Sequence, residues 1–385
     1  MERHKEKFYE LFNKKSQKTI FSPGRINIIG EHIDYNGGNV FPAAIAYGTY
    51  LYFAIRDDKI INLYSDNFAE DGVESFEIDA IIKNENGAWT NFPKGILATM
   101  AKHGHRLTHG FDAYVYGTIP NASGLSSSAS LEMAFALLVF EIVGKTADPV
   151  EMSKIAMEAE NNFIGVQCGI MDMFAIGLGK KDHAILINCN TLEYKYAPCT
   201  LGKYTFLIMN TNKKRKLADS KYNERRLECS AALKRIQTIF EVEQLCELEL
   251  SDLPQVKKAL NQETLYRRVR HVVSEQKRTQ LVFEALAIGD LPCVGLNLNN
   301  SHLSLKDDYE VTGSELDLIV QAAQKQAGVL GARMTGAGFG GCAIALIEQA
   351  AADTIKEAVQ QAYFSAFGYN PTFYESKIVS GTAVI

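Results

Sequence analysis

The order of apolar and polar residues predicts a chain built from both strands and helices. Period-two alternation predicts strands at residues 26–30, 47–55, 60–64, 111–117, 183–189, 192–196, 204–210 and 342–347. Helical periodicity predicts helices at residues 1–15, 133–144, 252–260 and 264–288, and two more that begin near Asp148 and Leu217. Residues 297–308 are polar and are predicted to form a loop. The mixture indicates an α+β protein.

Residues 120–132 form a segment of mostly small residues between the predicted strand 111–117 and the apolar segment 133–144. The segment reads Pro-Asn-Ala-Ser-Gly-Leu-Ser-Ser-Ser-Ala-Ser-Leu-Glu. Its serines can cap a helix whose unpaired N–H groups favour an anion, and Gly124 lets the backbone approach that anion closely. A serine-rich linker is the alternative, but a linker is not normally enclosed between an apolar strand and an apolar helix. The segment therefore predicts a phosphate loop, although the lysine of the Walker A motif is missing.

Composition and charge exclude several classes of protein. With 385 residues, 46% of them hydrophobic and 22% charged, the chain has the profile of a soluble globular protein with two domains, and disordered and fibrous classes are excluded. A net charge of -5 and an isoelectric point near 6.0 provide no global field for nucleic acid or an anionic membrane. The basic cluster at residues 213–226 is interrupted by acidic residues, which favours a solvated helix face. The apolar stretch 133–143 is too short to span a membrane.

The seven cysteines are widely spaced and include no Cys-x-x-Cys pair. An odd number in this spacing argues against a disulfide framework and a zinc site, and it predicts reduced thiols in a cytoplasmic protein. Residues 1–15 have a charged amphipathic pattern without an apolar signal core. We therefore expect no membrane partner and no nucleic-acid partner, and either a monomer or a weak homodimer.

A group of polar residues follows the predicted strand that ends at Gly30. Glu31, His32, Asp34 and Asn36 all lie within the next six residues, before two glycines. Carboxylates and an imidazole at the end of a strand offer the acceptors and donors that sugar hydroxyls require. An ordinary polar hairpin is one alternative. A metal site on His32 and Asp34 is another, but no second histidine lies nearby in the sequence.

Residues 24–36, Gly-Arg-Ile-Asn-Ile-Ile-Gly-Glu-His-Ile-Asp-Tyr-Asn, resemble the galactokinase signature. The Gly-Leu-Ser-Ser-Ser-Ala run at 124–129 is similar to the phosphate motif that galactokinases share with homoserine, mevalonate and phosphomevalonate kinases. The first motif is the more specific one, and the resemblance extends from about residue 21 to residue 385. It implies a two-domain small-molecule kinase with mixed sheets, helices packed on them and an active site in the interdomain cleft. We place the domains at residues 1–180 and 181–385.

The resemblance also implies which residues bind galactose, ATP and Mg²⁺. Galactose would contact Glu31, His32, Ile33, Asp34, Gly169 and Tyr222. The nucleotide would contact Ser65, Trp89 and the loop residues Ala122, Ser123, Gly124, Leu125, Ser126, Ser127 and Ser128. A lone tryptophan is also a common core residue, which is the alternative for Trp89. Mg²⁺ prefers hard oxygen ligands and takes most of them from phosphates and water, and the chain would add Ser128 and Glu160.

Asp172 occupies the position of the catalytic base in the family, which accepts the proton of the sugar hydroxyl. From the residues alone, an N-cap of the next helix is the alternative for Asp172. Arg25 is expected beside Asp172, where it would offset charge that builds on the phosphoryl group and replace part of the missing Walker lysine. Met173 stands where the family usually has Gln, so a hydrogen bond from that amide is not expected.

Residues 334–341, Met-Thr-Gly-Ala-Gly-Phe-Gly-Gly, formally fit the dinucleotide fingerprint G-x-G-x-x-G. A Rossmann fingerprint follows a strand and opens a helix, whereas this run precedes the predicted strand 342–347. We therefore reject a dinucleotide site. The resemblance instead implies a backbone loop beside the phosphate loop.

The resemblance predicts transfer of the γ-phosphoryl group of ATP to the anomeric hydroxyl of galactose, giving galactose 1-phosphate and ADP. One alternative is a kinase for N-acetylgalactosamine or another galactose relative, because the polar residues after Gly30 would hold the hydroxyls that these sugars share. A second alternative is a non-catalytic sensor of galactose and ATP. The Ser128-Ala129 pair, Glu160 and Asp172 argue against a sensor, because a protein that only binds need not keep a base and a metal ligand.

Overall fold

The fold is taken from a computed structural model, which describes residues 1–120, 124–213 and 218–385. Its strands are β1 Lys18–Ile29, β2 Asn39–Ile55, β3 Ile60–Ser65, β4 Glu74–Glu77, β5 Phe111–Gly117, β6 His183–Asn188, β7 Tyr194–Pro198, β8 Tyr204–Asn210, β9 Val329–Thr335, β10 Cys342–Glu348, β11 Thr372–Glu375 and β12 Ala383–Val384. Its helices are α1 Glu2–Phe12, α2 Asn91–Lys102, α3 Ser127–Val143, α4 Pro149–Ala159, α5 Met171–Gly177, α6 Ala218–Ile236, α7 Leu253–Leu260, α8 Glu263–Ile288, α9 Leu291–Ser304, α10 Ser314–Gln324 and α11 Ala352–Phe367.

The strands form two sheets. The larger sheet has eight strands in the order β12-β1-β2-β5-β3-β4, with β6 paired to β2 and β7 paired to β6. The smaller sheet is antiparallel and has the order β11-β8-β10-β9. Strands β6, β7 and β12 lie after residue 180, so the larger sheet includes strands from both predicted domains. The domain boundary at residue 180 stays a prediction.

Helix α3 is apolar on nearly all sides because both of its faces are covered. It packs on β1 and β2 on one side and on α2, α4 and α5 on the other. Met133, Phe135 and Leu138 are fully buried there. Helix α4 begins as expected, since the Asp148 carboxylate accepts the N–H of Val150 and Pro149 occupies the first turn. The start of α3 lies against the middle of β1, since Ser130 Oγ donates to the carbonyl of Ser22 over 2.7 Å.

Strand β1 belongs to the larger sheet, contacts β9 of the smaller sheet and positions the residues that follow it. Its Ile28 belongs to a buried cluster with Ile344 of β10 and Val282 of α8. The backbone N–H of Asn27 donates to Thr335 Oγ1 of β9 over 3.1 Å. The end of β1 is therefore held by elements from both halves of the chain.

Most predicted elements are confirmed, and the α+β class is correct, but the loop predicted at residues 297–308 is wrong. These residues continue helix α9 and a π-helical turn at Leu305–Tyr309. The polar side chains find buried partners, since Asn299 Oδ1 accepts the N–H of Ala332 over 2.9 Å and Ser301 Oγ donates to Glu275 Oε1 over 2.7 Å. Burial of such groups is tolerated because they are hydrogen-bonded. Among the described residues, no helix is long and apolar enough to cross a membrane.

Candidate active site

The polar turn, residues 30–38, connects β1 to β2. Gly30 has a φ of 97°, and a Cβ there would lie 2.8 Å from the carbonyl oxygen of Asn39, so this position requires glycine. Within the turn, the Asn36 amide donates to the carbonyl of His32 over 2.9 Å, and the N–H of Gly38 donates to the carbonyl of Ile33 over 2.8 Å. The turn thus has one defined backbone path, which places its side chains.

Two side chains of the polar turn bind the loop between β9 and β10. Glu31 Oε1 accepts the N–H of Gly336 over 2.7 Å and lies 3.2 Å from the guanidinium of Arg333. His32 Nε2 donates to the carbonyl of Ala337 over 3.2 Å. Burial raises the pKa of Glu31 above its ordinary value, although Arg333 opposes the shift. Burial lowers the pKa of His32 to about 3, so the ring is neutral.

Helix α8 binds the backbone of the polar turn, a contact that the sequence did not indicate. Glu275 Oε1 accepts the N–H of Gly30 over 3.1 Å, and His271 Nε2 donates to the carbonyl of Glu31 over 3.0 Å. Both side chains are fully buried. Positive groups, with Arg278 the strongest of them, outweigh the effect of burial and hold the pKa of Glu275 at about 2, so it is a carboxylate. One face of α8 therefore binds the turn through one backbone N–H, that of Gly30, and one backbone carbonyl, that of Glu31.

The polar turn opens into a cavity of about 410 Å³, which we call the large cavity. This volume is in the range of small-molecule sites. It is lined by parts of both halves of the chain, namely Arg25, Glu31, His32, Asp34, Gly165, Val166, Gln167, Cys168, Gly169, Met171, Asp172, Tyr222, Asn223, Gly336 and Ala337. All but one of the predicted sugar contacts are therefore brought together. Ile33 is the exception, because its side chain is fully buried in the core and does not line the cavity.

Asp34 differs from its neighbours in the polar turn because its carboxylate is not paired with a cationic side chain of the described residues. A Cβ on Gly169 would lie 2.2 Å from Asp34 Oδ2, so the 165–169 segment passes directly over the carboxylate. Burial raises the pKa of Asp34 to about 6, and the carboxylates of Asp172 and Glu31 contribute to the shift. Tyr222 stands near by, with its ring centre 5.5 Å from that of His32.

Arg25 and Asp172 form a bidentate pair at the wall of the large cavity. Arg25 Nε donates to Asp172 Oδ1 and Arg25 Nη2 to Asp172 Oδ2, each over 2.8 Å. The hydroxyl of Ser126 also donates to Asp172 Oδ2. Asp172 is the second residue of α5 and does not cap it. The next residue, Met173, packs in the core and leaves the carboxylate to these partners.

The phosphate loop packs directly against β1. The third nitrogen of Arg25, Nη1, donates to the carbonyl of Gly124 over 2.7 Å, and the Arg25 N–H donates to the carbonyl of Leu125. A Cβ on Gly24 would lie 2.8 Å from that Leu125 carbonyl, so glycine permits the approach. The loop at 334–341 lies beside it, since a Cβ on Gly336 would be 3.0 Å from the carbonyl of Gly124. Ala122 and Ser123, which we predicted to contact the nucleotide, lie outside the described residues.

Helix α3 begins at Ser127, and Ser126 precedes it in a left-handed conformation with a φ of 62°. The Ser126 hydroxyl does not cap the helix, as the serines of this loop were expected to do, because it donates to Asp172 instead. The N–H groups of the first turn of α3 therefore lack this cap. A helix N-terminus of this kind favours an anion.

A second cavity, of about 160 Å³, lies beside the start of α3, and we call it the narrow cavity. It is lined by Thr49, Ser65, Asn67, Phe68, Trp89, Phe92, Val115, Gly117, Ile119, Ser127, Ser128 and Leu131. The rings of Trp89 and Phe68 are stacked, with centres 6.4 Å apart and planes 8° apart. Trp89 belongs to the core and also lines the cavity, and its contact with the nucleotide stays a prediction. Phe68 had no recognisable signal in the sequence.

Ser128 and Glu160 are brought together, as the predicted metal site requires. Interactions with the Ser128 hydroxyl and the Cys168 thiol favour the charged form of the Glu160 carboxyl, although burial outweighs them. Burial raises the pKa of Glu160 above its ordinary value. Among the described residues, no group of three or more His, Cys, Asp or Glu side chains is placed to hold a metal ion. A hydroxyl and one carboxylate nevertheless fit Mg²⁺, which binds through few protein ligands when a nucleotide supplies the others.

Comparison with known proteins identifies close relatives of this chain. Three family profiles match it, namely "Galactokinase galactose-binding signature" at residues 6–55, "GHMP kinases N terminal domain" at 91–180 and "GHMP kinases C terminal" at 282–365. The chain is 48% identical to the galactokinase of Enterococcus faecalis over 375 residues, or 97% of each chain. It is 47% identical to the galactokinase of Lactiplantibacillus plantarum over 98% of this chain and 97% of that one.

Solved structures agree with these relatives. The chain matches the crystal structure of Lactococcus lactis galactokinase complexed with galactose with a TM-score of 0.96 and 46% identity, over 99% of each chain. It also matches Methanococcus jannaschii mevalonate kinase with a TM-score of 0.68 over 94% of this chain and 98% of that one. At 19% identity, the second match is a likeness of fold alone.

Proposed function

Because this chain belongs to the galactokinase family of the GHMP kinases, we propose that galactose binds in the large cavity with its anomeric hydroxyl at Asp172. The chain is an ATP-dependent sugar kinase that transfers the γ-phosphoryl group of ATP to galactose, giving galactose 1-phosphate and ADP. The observation that carries the site assignment is the bidentate Arg25–Asp172 pair, which lines the cavity and reaches the phosphate loop through Gly124.

Asp172 is the catalytic base in this proposal. Its two oxygens accept hydrogen bonds from Arg25 and Ser126, and these bonds fix the plane of the carboxylate. The remaining lone pairs can accept the proton of a hydroxyl placed in the cavity. Phosphoryl transfer passes through a loose, in-line transition state, so correct placement of that hydroxyl is a large part of catalysis.

Arg25 has a second role because it touches both the base and the phosphate loop. Its guanidinium lies between Asp172 and the carbonyl of Gly124, close to where the γ-phosphoryl group must meet the sugar. There it offsets charge that develops on the transferred group. This cation supplies part of the charge that the Walker lysine supplies in other nucleotide enzymes.

The sugar is oriented by the polar turn and by Tyr222. Asp34 and Gly169 both line the cavity and lie in close contact with each other. Asp34 supplies acceptor oxygens for sugar hydroxyls. Glu31 and His32 contribute mainly by shaping the wall, because their functional atoms already bind the 333–337 segment. Recognition that depends on placed polar groups discriminates strongly against sugars that leave them unpaired.

ATP is placed with its base in the narrow cavity, beside Ser65 and Trp89, and its phosphates at the start of α3. Ser128 and Glu160 are proposed to hold Mg²⁺, which would neutralise part of the charge of the ATP phosphates. This arrangement directs the γ-phosphoryl group from the narrow cavity toward Asp172.

The proposal also includes a domain boundary near residue 180, a cytoplasmic location and a monomeric or weakly dimeric state. Sedimentation of the purified chain tests the oligomeric state.

An assay of ADP release across monosaccharides tests the function. Galactose should support ADP release, whereas glucose, its C4 epimer, should support little. Equal turnover with N-acetylgalactosamine would shift the assignment to a kinase for a galactose derivative. A rise in thermal stability with galactose and ATP but no ADP would instead indicate a sensor.

A further inference from the structure

Glu132 lies on α3, one helical turn after Ser128, and the proposed mechanism leaves it without a role. Its side chain is fully buried. Neither carboxyl oxygen has a hydrogen-bond partner among the described residues. A buried polar group without a partner is costly, so natural proteins rarely keep one without a reason.

The surroundings of Glu132 are acidic. Residues four apart on a helix share a face, so Glu132 lies on the same side of α3 as Ser128. Glu160 is its strongest charged neighbour, and Asp172 is the next. Burial raises the pKa of Glu132 well above its ordinary value, and the two neighbouring carboxyls raise it further.

Positive charge is scarce around these carboxyls. In the described parts of the chain, neither Glu132 nor Glu160 forms an ion pair with a Lys, Arg or His side chain. Arg25 is already engaged by Asp172 and the carbonyl of Gly124. Glu132 and Glu160 therefore lack the cation that normally accompanies buried carboxylates.

We propose that Glu132 is a further ligand of the divalent cation held by Ser128 and Glu160, bound through a water of the cation's hydration shell. The inference rests on the proposed metal site. Mg²⁺ keeps several of its waters in protein sites, and each water can donate to a nearby carboxylate. A carboxylate that accepts from such a water orients the direct ligands and strengthens the site. The Glu132 carboxylate then has a hydrogen-bond donor only in the loaded enzyme.

Direct measurement of cation binding tests this inference. Mn²⁺ is titrated into the full chain with galactose and the β,γ-imido analogue of ATP, and free Mn²⁺ is followed by its paramagnetic resonance signal. Glu132→Leu removes both the charge and the acceptor, so it should weaken Mn²⁺ binding about 10- to 100-fold. Glu132→Gln keeps one acceptor oxygen, so its loss should be smaller. Binding by both variants within about twofold of the unmodified chain would overturn the proposal.

Glu158 provides the matched control. It lies in the last turn of α4, two residues before Glu160, but its side chain is 34% exposed and its Oε2 is 2.8 Å from His103 Nε2. Glu158→Leu should leave the affinity for Mn²⁺ unchanged. A loss as large as that of Glu132→Leu would show a general charge effect and would also overturn the proposal.

Two further measurements separate this inference from a structural role and from the metal site itself. The thermal midpoint without cation should be retained in Glu132→Gln, whereas the extra stability that Mn²⁺ adds in the presence of the analogue should shrink. A lower midpoint with an unchanged Mn²⁺ affinity would indicate packing only and overturn the inference. Glu160→Gln must weaken Mn²⁺ binding if the proposed site is correct. If Glu160→Gln does so and the Glu132 variants do not, the metal site stands and the role of Glu132 fails.

Discussion

The large cavity and the narrow cavity differ in how their walls are built. The large cavity is lined by residues from position 25 to position 337. Its polar side chains are held by partners on β9 and the 334–341 loop, and α8 holds the backbone of the polar turn. The narrow cavity is lined by residues 49–131 only, with a stacked pair of aromatic rings and small side chains. If the proposed sites are correct, we expect the large cavity to select its ligand by placed hydrogen bonds and the narrow cavity to bind by shape and stacking.

The largest expected effect comes from the base at the wall of the large cavity. Asp172→Asn keeps the shape of the side chain but weakens its ability to take a proton. General-base catalysis is typically worth roughly 10² to 10⁴ in rate, so kcat should fall on that scale. Galactose and ATP binding, measured by calorimetry, should remain largely intact, because the carboxamide still fills the same space.

Asp57→Asn is the control for this substitution, since Asp57 is exposed in the turn between β2 and β3. Near-normal turnover of Asp172→Asn would refute the base assignment and leave a purely positional mechanism.

Arg25→Ala should also lower kcat. The double variant should lose less than the product of the two single losses if the pair acts as a unit.

The second effect concerns recognition in the large cavity alone. Asp34→Ala removes acceptors for sugar hydroxyls, and unpaired groups cost about 1–3 kcal/mol, which corresponds to roughly 5- to 150-fold in galactose affinity. ATP affinity should change little, because Asp34 does not line the narrow cavity. Calorimetry with each ligand measures both quantities.

Gly169→Ala sharpens this prediction without removing the carboxylate. The new Cβ would lie 2.2 Å from Asp34 Oδ2, so it must displace Asp34, and galactose affinity should fall while ATP affinity is kept. Asp57→Ala again serves as control. Equal losses of galactose and ATP affinity in Asp34→Ala would mean that the two cavities are not separate binding sites.

The third effect is a pH dependence that only the large cavity should show. The pKa of Asp34 is raised to about 6, chiefly by burial, so its carboxylate form is lost as the pH falls through 6. Galactose affinity should therefore decrease below pH 6, approaching tenfold per pH unit, if the carboxylate is the form that accepts the sugar hydroxyls. Calorimetry from pH 5 to pH 8 measures this slope.

Asp34→Asn should bind galactose more weakly, with an affinity that no longer depends on pH in this range. Glu31 and Asp172 raise the pKa of Asp34 and Arg226 lowers it, so these are the charged neighbours that set the midpoint. An unchanged pH slope in Asp34→Asn would assign the titration to another group.

The smallest effect is expected in the narrow cavity, where binding depends on stacking. Aromatic pairs contribute about 0.5–1.5 kcal/mol beyond burial, so Trp89→Leu should raise the KM for ATP roughly 2- to 12-fold. Trp89→Phe should keep most of the affinity, because it retains a ring beside Phe68. The KM for galactose should not change in either variant, and a thermal melt checks that each one folds. A larger rise in the KM for galactose than in the KM for ATP would contradict the assignment of the base of ATP to the narrow cavity.

The polar turn and the phosphate loop could be predicted from the sequence because each is a contiguous segment with its own local signal. Gly30 is required by the path of the polar turn itself, since a Cβ there would lie 2.8 Å from the carbonyl oxygen of Asn39. The polar turn follows a strand, and the loop precedes a helix, so the order along the chain already indicates what each can bind. Eight of the strands and the helices α1, α3, α4, α6, α7 and α8 were predicted for the same reason, since hydrophobic periodicity is a local property, whereas β9, α10 and α11 were not predicted.

Other parts of the site depend on residues that are far apart in the chain. Arg333 pairs with Glu31, and Glu275 with the N–H of Gly30, across sequence separations of about 300 and 245 residues. The polar run at 297–308 was predicted to be a loop because its buried partners on α8 and β9 cannot be seen in the local pattern. Ser126 was expected to act as a cap, but its hydroxyl binds Asp172, a residue of another helix.

The sequence by itself determined the fold class, the kinase family and the two segments that we propose bind sugar and phosphate, because these are encoded in local periodicity and contiguous motifs. Only the tertiary structure decided which polar groups are already paired and which are left for a ligand. Glu31 and His32 have protein partners, Asp34 remains open to the large cavity, and Glu132 is buried with no partner in the described residues. The physical reason is that pairing and burial depend on which distant side chains meet, and adjacent residues in one turn can therefore have opposite roles.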